Sequence, residues 1–224
     1  MLKLIIGNKN YSSWSMRPWT LMTQAQIAFE EETVWLAEAG TAANIARHSP
    51  SGSVPVLIDR EGVSELKVWD SLAICEYLAE KFPEKNLWPR DMAQRATARA
   101  ISAEMHSGFA ALRANMPMNI RNRYPGCGRH ADVTTEVDAG IARISAIWSE
   151  CVAHSGGPYL FGSFTIADAM FTPVVFRLRT YGVALEGAAA DYSRAMLATP
   201  ALVKLDQLAT AEGHAQARYD AKYA

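Results

Sequence analysis

Short apolar runs and helical patterns alternate over the first eighty residues. Leu2–Gly7 reads as a strand, and Ser15–Ala28 has helical spacing. Pro18 falls in the first turn of that helix, where its missing N–H costs little. Thr33–Ala37 reads as a second strand, and Ala42–His48 as a short helix or turn. Pro55–Asp59 and Glu65–Trp69 are two strands joined by a turn around Arg60-Glu61-Gly62. Ser71–Phe82 is a helix stopped by Pro83. The order βαβαββα predicts a parallel pair made through a crossover helix, then an antiparallel hairpin.

The pattern changes after residue 82. Residues 83–90, with Pro83, Asn86 and Pro89, read as a linker between a first domain (1–82) and an all-helical one (91–224). Asp91 is a good N-cap for a long helix, in which Ile101, Met105, Phe109, Leu112 and Met116 keep helical spacing until Pro117. Tyr124–Arg129 is a loop, Val133–Ala153 an amphipathic helix broken by Gly156-Gly157-Pro158, and Thr165–Tyr181 a mostly apolar, central helix. Two shorter helices come next, the second over about Ala201–Glu212.

Composition narrows the function. The 224 residues are 50% apolar and 20% charged, with a formal net charge of -1, enough for two small domains with real cores. That charge argues against nucleic acid and, more weakly, against an anionic membrane surface as a partner. No stretch approaches the roughly 18 apolar residues of a membrane helix. The first ten residues have the pattern of a strand, not of a secretory leader. Cys75, Cys127 and Cys151 lie far apart, with neither metal-ligand nor CxxC spacing, a set suited to a reducing cytosol.

Three segments carry chemistry. Asn10–Trp19 (NYSSWSMRPW) leaves a strand and opens a helix. Hydroxyls there cap the helix or face an anion, which the helix N-terminus favours. In Ser53-Val54-Pro55-Val56-Leu57 the proline is an ordinary strand start or the site of a cis bond. Trp69-Asp70-Ser71 turns from strand to helix, so Asp70 or Ser71 is a plain N-cap, or holds a ligand's amino and carboxylate groups.

In this order and spacing, Ser12–Arg17, Ser53–Leu57 and Asp70–Tyr77 (DSLAICEY) resemble the glutathione-site motifs of cytosolic glutathione S-transferases. The resemblance covers nearly the whole chain, is of serine type, and in motif is similar to zeta-like bacterial members. It implies a thioredoxin-like domain (βαβαββα) followed by a helical one. Ser12, five residues before Arg17, is implied to touch the glutathione sulfur, with Ser13 as the alternative. Pro55 takes the place of the family's cis-proline, with the Val54 backbone pairing with the cysteinyl part. Asp70 and Ser71 match the pair that holds the γ-glutamyl end, and Ser53 stands near the glycyl carboxylate. Thr165-Ile166-Ala167-Asp168 is similar to the family's capping-box and staple motif.

The resemblance also implies glutathione as co-substrate, a small electrophile, no metal, a cytoplasmic homodimer and a role in detoxification, with Glu104 as a cross-dimer contact. Helical spacing places His106, Phe109 and Arg113 on one face of the long helix, near Met105 and Met116, and Trp14 and Met16 sit beside the sulfur position. These residues form the expected second-substrate pocket, unless the methionines and Phe109 are simply core. An acidic substrate held by Arg113, Arg121 or Arg123 is the alternative to a solvated basic face. Two departures stand out. Zeta members have Ser-Ser-Cys-Ser where this chain has Ser12-Ser13-Trp14-Ser15, which disfavours their cis-trans isomerase activity, and Ser53 replaces a frequent Lys or Gln. The rival readings are that isomerase and a non-catalytic binding module; a thiol-disulfide enzyme fits least, having Ser at the nucleophile position.

Overall fold

The computed structural model describes residues 1–61, 64–129, 132–220 and 223. β1 (Leu2–Ile6) is followed by α1 (Ser13–Gln24), β2 (Glu30–Thr33), α2 (Thr41–His48), β3 (Val56–Asp59), β4 (Leu66–Val68) and α3 (Ser71–Lys81). The sheet order is β2-β1-β3-β4, with β1 parallel to β2 and antiparallel to β3, and β3 antiparallel to β4. The expected crossover and hairpin are both present; Gly62, at the expected hairpin turn, lies outside the described residues.

Two local expectations fail. The second strand is Glu30–Thr33, not Thr33–Ala37. As an edge strand it needs no apolar face; Glu32 pairs with Lys3 at 2.6 Å, while Val34, beyond the strand, takes the buried place. Helix α1 begins at Ser13, so Pro18 lies inside it and not in its first turn. The carbonyl of Trp14 is thereby left without its usual helical partner.

The rest is helical: α4 (Met92–Ser107), α5 (Ala110–Asn115), α6 (Thr134–Ser155), α7 (Ile166–Thr180), α8 (Gly187–Ala198), α9 (Pro200–Ala211) and a terminal turn, α10 (Ala217–Asp220). The single long helix expected after Asp91 is two. It breaks at Gly108-Phe109, where Phe109 is left-handed (φ 58°). A Cβ on Gly108 would sit 2.7 Å from the Glu104 carbonyl oxygen, so only glycine fits the break.

α7 is the central post, with nearly every residue buried. It packs against α1 of the sheet unit and against α4 and α8, so one apolar cluster runs through both halves. Its start is held by Asp168, whose Oδ2 accepts from the Thr165 N–H (2.8 Å) and hydroxyl (3.0 Å), while Oδ1 accepts from Leu160 N–H and the Tyr192 hydroxyl. The Thr165–Asp168 motif is therefore structural, as the resemblance implied. Glu104 makes a two-armed ion pair with Arg143 of α6, at 2.7 and 2.8 Å, so its carboxylate is engaged within the chain.

Candidate functional site

The turn between β1 and α1 is built by Asn8. Its carbonyl accepts from the N–H groups of Tyr11 and Ser12, and its side chain accepts from Leu36 N–H. Ser12 occupies the N-cap of α1, yet its hydroxyl makes no capping bond. It lies 2.8 Å from the hydroxyl of Ser15, which in turn accepts from Gly7 N–H at 3.0 Å. A plain capping role is thus not what Ser12 does. Ser12 and Ser13 both line a cavity of about 750 Å³ between the sheet unit and the helical unit. Tyr11 lines it too, but its phenol donates to Asp220 (2.7 Å) and accepts from Arg121, so its proton is committed.

A second cavity, of about 330 Å³, adjoins the first through shared walls at Trp14, Ser53 and Val54. Pro55, Asp70 and Ser71 complete it, together with Ser51 and Trp69. All five expected glutathione-binding residues therefore share one cavity. The Val54–Pro55 bond is cis. Pairing of β3 begins at Val56, which leaves the Val54 backbone outside the ladder. Asp70 caps α3, its Oδ1 accepting from Leu72 N–H (2.7 Å) and Ala73 N–H (3.4 Å). Its Oδ2 lies 3.1 Å from Nε2 of His106.

Beneath these cavities the charge is positive. Arg17 is buried; its guanidinium donates to Ser71 (3.4 Å) and to the Met105 carbonyl (3.5 Å) and lies 4.3 Å from the Trp14 ring centre. Its Nε has no partner among the described residues. Burial first, then Arg177 and Arg113, push it down to about 9. Arg113, Arg177 and Arg218 line the larger cavity, and no carboxylate is among its described lining residues. A site walled this way favours an anion, whether a thiolate or a carboxylate.

The expected second-substrate group is only partly assembled. Trp14 and Arg113 line the larger cavity, with the Arg113 guanidinium 5.4 Å from the Trp14 ring centre. Met16 and Met105 do not belong to it: both are fully buried in the core, as is Met116. Phe109, turned by the helix break, lies against α6, where a Cβ on Gly140 would meet its ring at 3.6 Å. His106 lies beside Asp70, its ring 5.1 Å from that of Trp14 between centres, and is not in the larger cavity's wall. Arg121 and Arg123 spend their guanidiniums on structure, Arg121 on Tyr11, Asp220 and the Glu212 carbonyl, Arg123 on two backbone carbonyls.

Four contributors escape a reading of the sequence. Ser15 lies inside the Asn10–Trp19 segment and is legible there only as a hydroxyl at the helix start. Arg177 carries a signal, a cation within an apolar helix. Arg218 and Tyr219 carry none. They reach the cavity because the terminal segment folds back: Tyr219 stacks on Tyr11 (5.4 Å), Gln216 bonds Asn8 and Leu36, and Asp220 collects Tyr11 and Asn119. Burial pushes the Cys75 thiol well above its ordinary value, so it is no nucleophile. Among the described residues, no cluster of His, Cys, Asp and Glu could hold a metal ion, and no helix is long and apolar enough to cross a membrane.

Two family models match the chain: "Glutathione S-transferase, N-terminal domain" over residues 11–81 and "Glutathione S-transferase, C-terminal domain" over residues 131–196. A probable maleylacetoacetate isomerase of Caenorhabditis elegans is 26% identical over 174 residues, 78% of each chain. One of Vibrio cholerae is 27% identical over 196 residues, covering 81% of this chain and 84% of the relative. A glutathione transferase homolog from Burkholderia, solved with bound glutathione, shares the fold with a TM-score of 0.68 at 20% identity, over 93% of this chain and 97% of that one. With both family models placed in order on a four-stranded sheet unit and a helical unit, the chain belongs to the glutathione S-transferase family.

Proposed function

We propose that this chain transfers glutathione to small electrophiles, with the tripeptide in the smaller cavity and the electrophile in the larger. The observation that carries this reading is the adjacency of the two cavities at Trp14, Ser53 and Val54, with Ser12 on the larger one. Val54 offers its free backbone to the cysteinyl unit, Asp70 accepts the γ-glutamyl ammonium, Ser71 meets its carboxylate, and Ser53 lies toward the glycyl end. The Ser12 hydroxyl donates to the sulfur. A free thiol has a pKa of about 8.5. The hydroxyl, the α1 N-terminus and the cationic floor all favour the thiolate. The thiolate sulfur attacks the electrophilic carbon, a C–S bond forms, and the leaving group departs with its electron pair.

Arg113, Arg177 and Arg218 suit an electrophile bearing a carboxylate. This observation supports a second reading, a cis-trans isomerase that adds and then releases the same thiolate. Trp14 in place of the zeta cysteine counts against it. The domain limits 1–82 and 91–224, a homodimer and a cytoplasmic, detoxifying role belong to the same proposal.

Retention on immobilised glutathione, followed by thiol consumption across neutral and carboxylate-bearing electrophiles, tests the reading. Turnover with C–S products supports transfer. Isomerised product with no net thiol loss supports the second reading, and retention without turnover leaves a binding module. Arg218→Ala should weaken only the carboxylate-bearing electrophiles.

A further inference from the structure

The N–H groups of Lys9 and Asn10 are successive in the turn that leads to Ser12. Among the described residues, no backbone carbonyl accepts either of them. Both are taken by one side chain from the other end of the chain. Glu212, the C-cap of α9, accepts from Lys9 N–H at Oε1 (2.6 Å) and from Asn10 N–H at Oε2 (3.1 Å). Successive N–H groups in a turn form a concavity for an anion, and here a carboxylate fills it. Glu212 is itself held, since its carbonyl accepts from Nη1 of Arg121 at 2.7 Å.

The helical unit grips the same turn through Asn10. Its Nδ2 donates to Asn119 (2.9 Å), and its Oδ1 and carbonyl accept from the N–H groups of Arg121 (3.0 Å) and Ile120 (3.3 Å). The Asn8 carbonyl closes the turn by accepting from Ser12 N–H at 2.8 Å. Lys9 and Asn10 are thus the span between Asn8 and the Tyr11-Ser12 step, and fixing their backbone fixes where the Ser12 hydroxyl stands. A hydrogen bond from that hydroxyl weakens steeply when its angle is lost.

Resting on the reading of Ser12 as the donor to sulfur, we propose that Glu212 is a positioning residue: by receiving the N–H groups of Lys9 and Asn10, it fixes the turn that presents the Ser12 hydroxyl to the thiolate. Glu212 lines neither cavity, so it touches neither substrate. Its positioning effect is opposite in sign to that of its charge. A nearby negative charge disfavours a thiolate, so removing the charge alone lowers the thiol pKa or leaves it unchanged, whereas misplacing Ser12 raises it.

Thiolate absorbance of bound glutathione, titrated in wild type, Glu212→Ala, Ser12→Ala and the double variant, tests this. Glu212→Ala should show part of the roughly one-unit rise that Ser12→Ala produces, and no further rise in the Ser12→Ala background. Amide exchange at Lys9 and Asn10 should become faster in Glu212→Ala. Glu212→Gln also removes the charge but keeps one acceptor; its rise should be smaller, and it serves where the alanine variant does not fold. An unchanged or lowered thiol pKa in these variants overturns the proposal, as does a rise of equal size in the Ser12→Ala background. Faster exchange with an unshifted thiol leaves Glu212 a merely structural residue and overturns it too. Wild type that binds no glutathione, or Ser12→Ala that leaves the thiol unshifted, removes the functional reading itself, and the proposal with it.

Discussion

The hydroxyl of Ser15 stands 2.8 Å from the hydroxyl of Ser12 and accepts the N–H of Gly7. Either oxygen can donate between the two serines in the free protein. Once Ser12 gives its proton to a sulfur, Ser15 must be the donor, and the chain Ser15 to Ser12 to sulfur runs in one direction. Two predictions rest on this relationship.

Ser12→Ala should leave glutathione binding largely intact, since the tripeptide's charged ends are held elsewhere. The apparent pKa of the bound thiol should rise by roughly one unit, equivalent to about 1.4 kcal/mol of thiolate stabilisation. The rate at neutral pH should drop and partly recover at higher pH. Ser13→Ala should do much less. Thiolate absorbance titrated in the three proteins decides between the serines; a shift in Ser13→Ala alone assigns the sulfur to Ser13.

Ser15→Ala should produce a smaller rise of the same pKa and no further rise when added to Ser12→Ala. It should also lower stability by about 1–3 kcal/mol, because the buried Gly7 N–H loses its acceptor. Urea unfolding measures the second effect. An unchanged midpoint would show that Gly7 finds another partner.

Asp70→Asn separates two tasks of one side chain. Asparagine is as good an N-cap as aspartate, so the α3 start and the melting temperature should hardly change. The ammonium partner is lost, and half-saturation with glutathione should require at least about tenfold more, consistent with a charged hydrogen bond of about 1.5–3 kcal/mol. Asp70→Ala should lose both the affinity and the cap. Equal glutathione affinity in wild type and Asp70→Asn contradicts the assignment.

Asp168 makes the fold sensitive to pH. Burial pushes its carboxyl up from 3.8 to about 6, against donors from Leu160, Thr165 and Tyr192 that pull it down. The native state therefore holds this proton more tightly than the unfolded chain. The resulting stability is full below about pH 4 and is lost as the pH rises through about 6. Asp168→Asn cannot titrate. The difference in unfolding free energy, wild type minus variant, should shrink between about pH 4 and pH 7. A difference constant over that window rules out the linkage.

Much of the architecture was legible because local patterns and global packing agree. The alternation of apolar runs in the first eighty residues specified the crossover and the hairpin, and Asp70, Asp91 and Thr165 marked helix starts that the structure retains. The residues expected at a glutathione site come together in one cavity for a related reason: short segments at a strand–helix junction carry their geometry with them. Ser12, Val54-Pro55 and Asp70-Ser71 each sit at the end of a strand or a helix, and the sheet needs only to pair in order to bring them together.

What the sequence left open depends on packing between distant segments. Helical spacing could not show that Gly108-Phe109 breaks the helix, because a backbone turn that tight is selected by what Phe109 and Arg113 meet on either side of it. That break sends Phe109 to α6 and Arg113 to the cavity. Met16 and Met105 share their apolar chemistry with pocket residues, and only burial in the shared core assigns them their place. The same holds for charge. Arg121 and Arg123 look like Arg113 along the chain, yet the folded-back terminus and nearby carbonyls engage them. The sequence by itself placed the Ser12 hydroxyl at a strand–helix junction; the tertiary structure alone decided that Ser15 stands behind it, because such a hydrogen bond exists only once the turn closes.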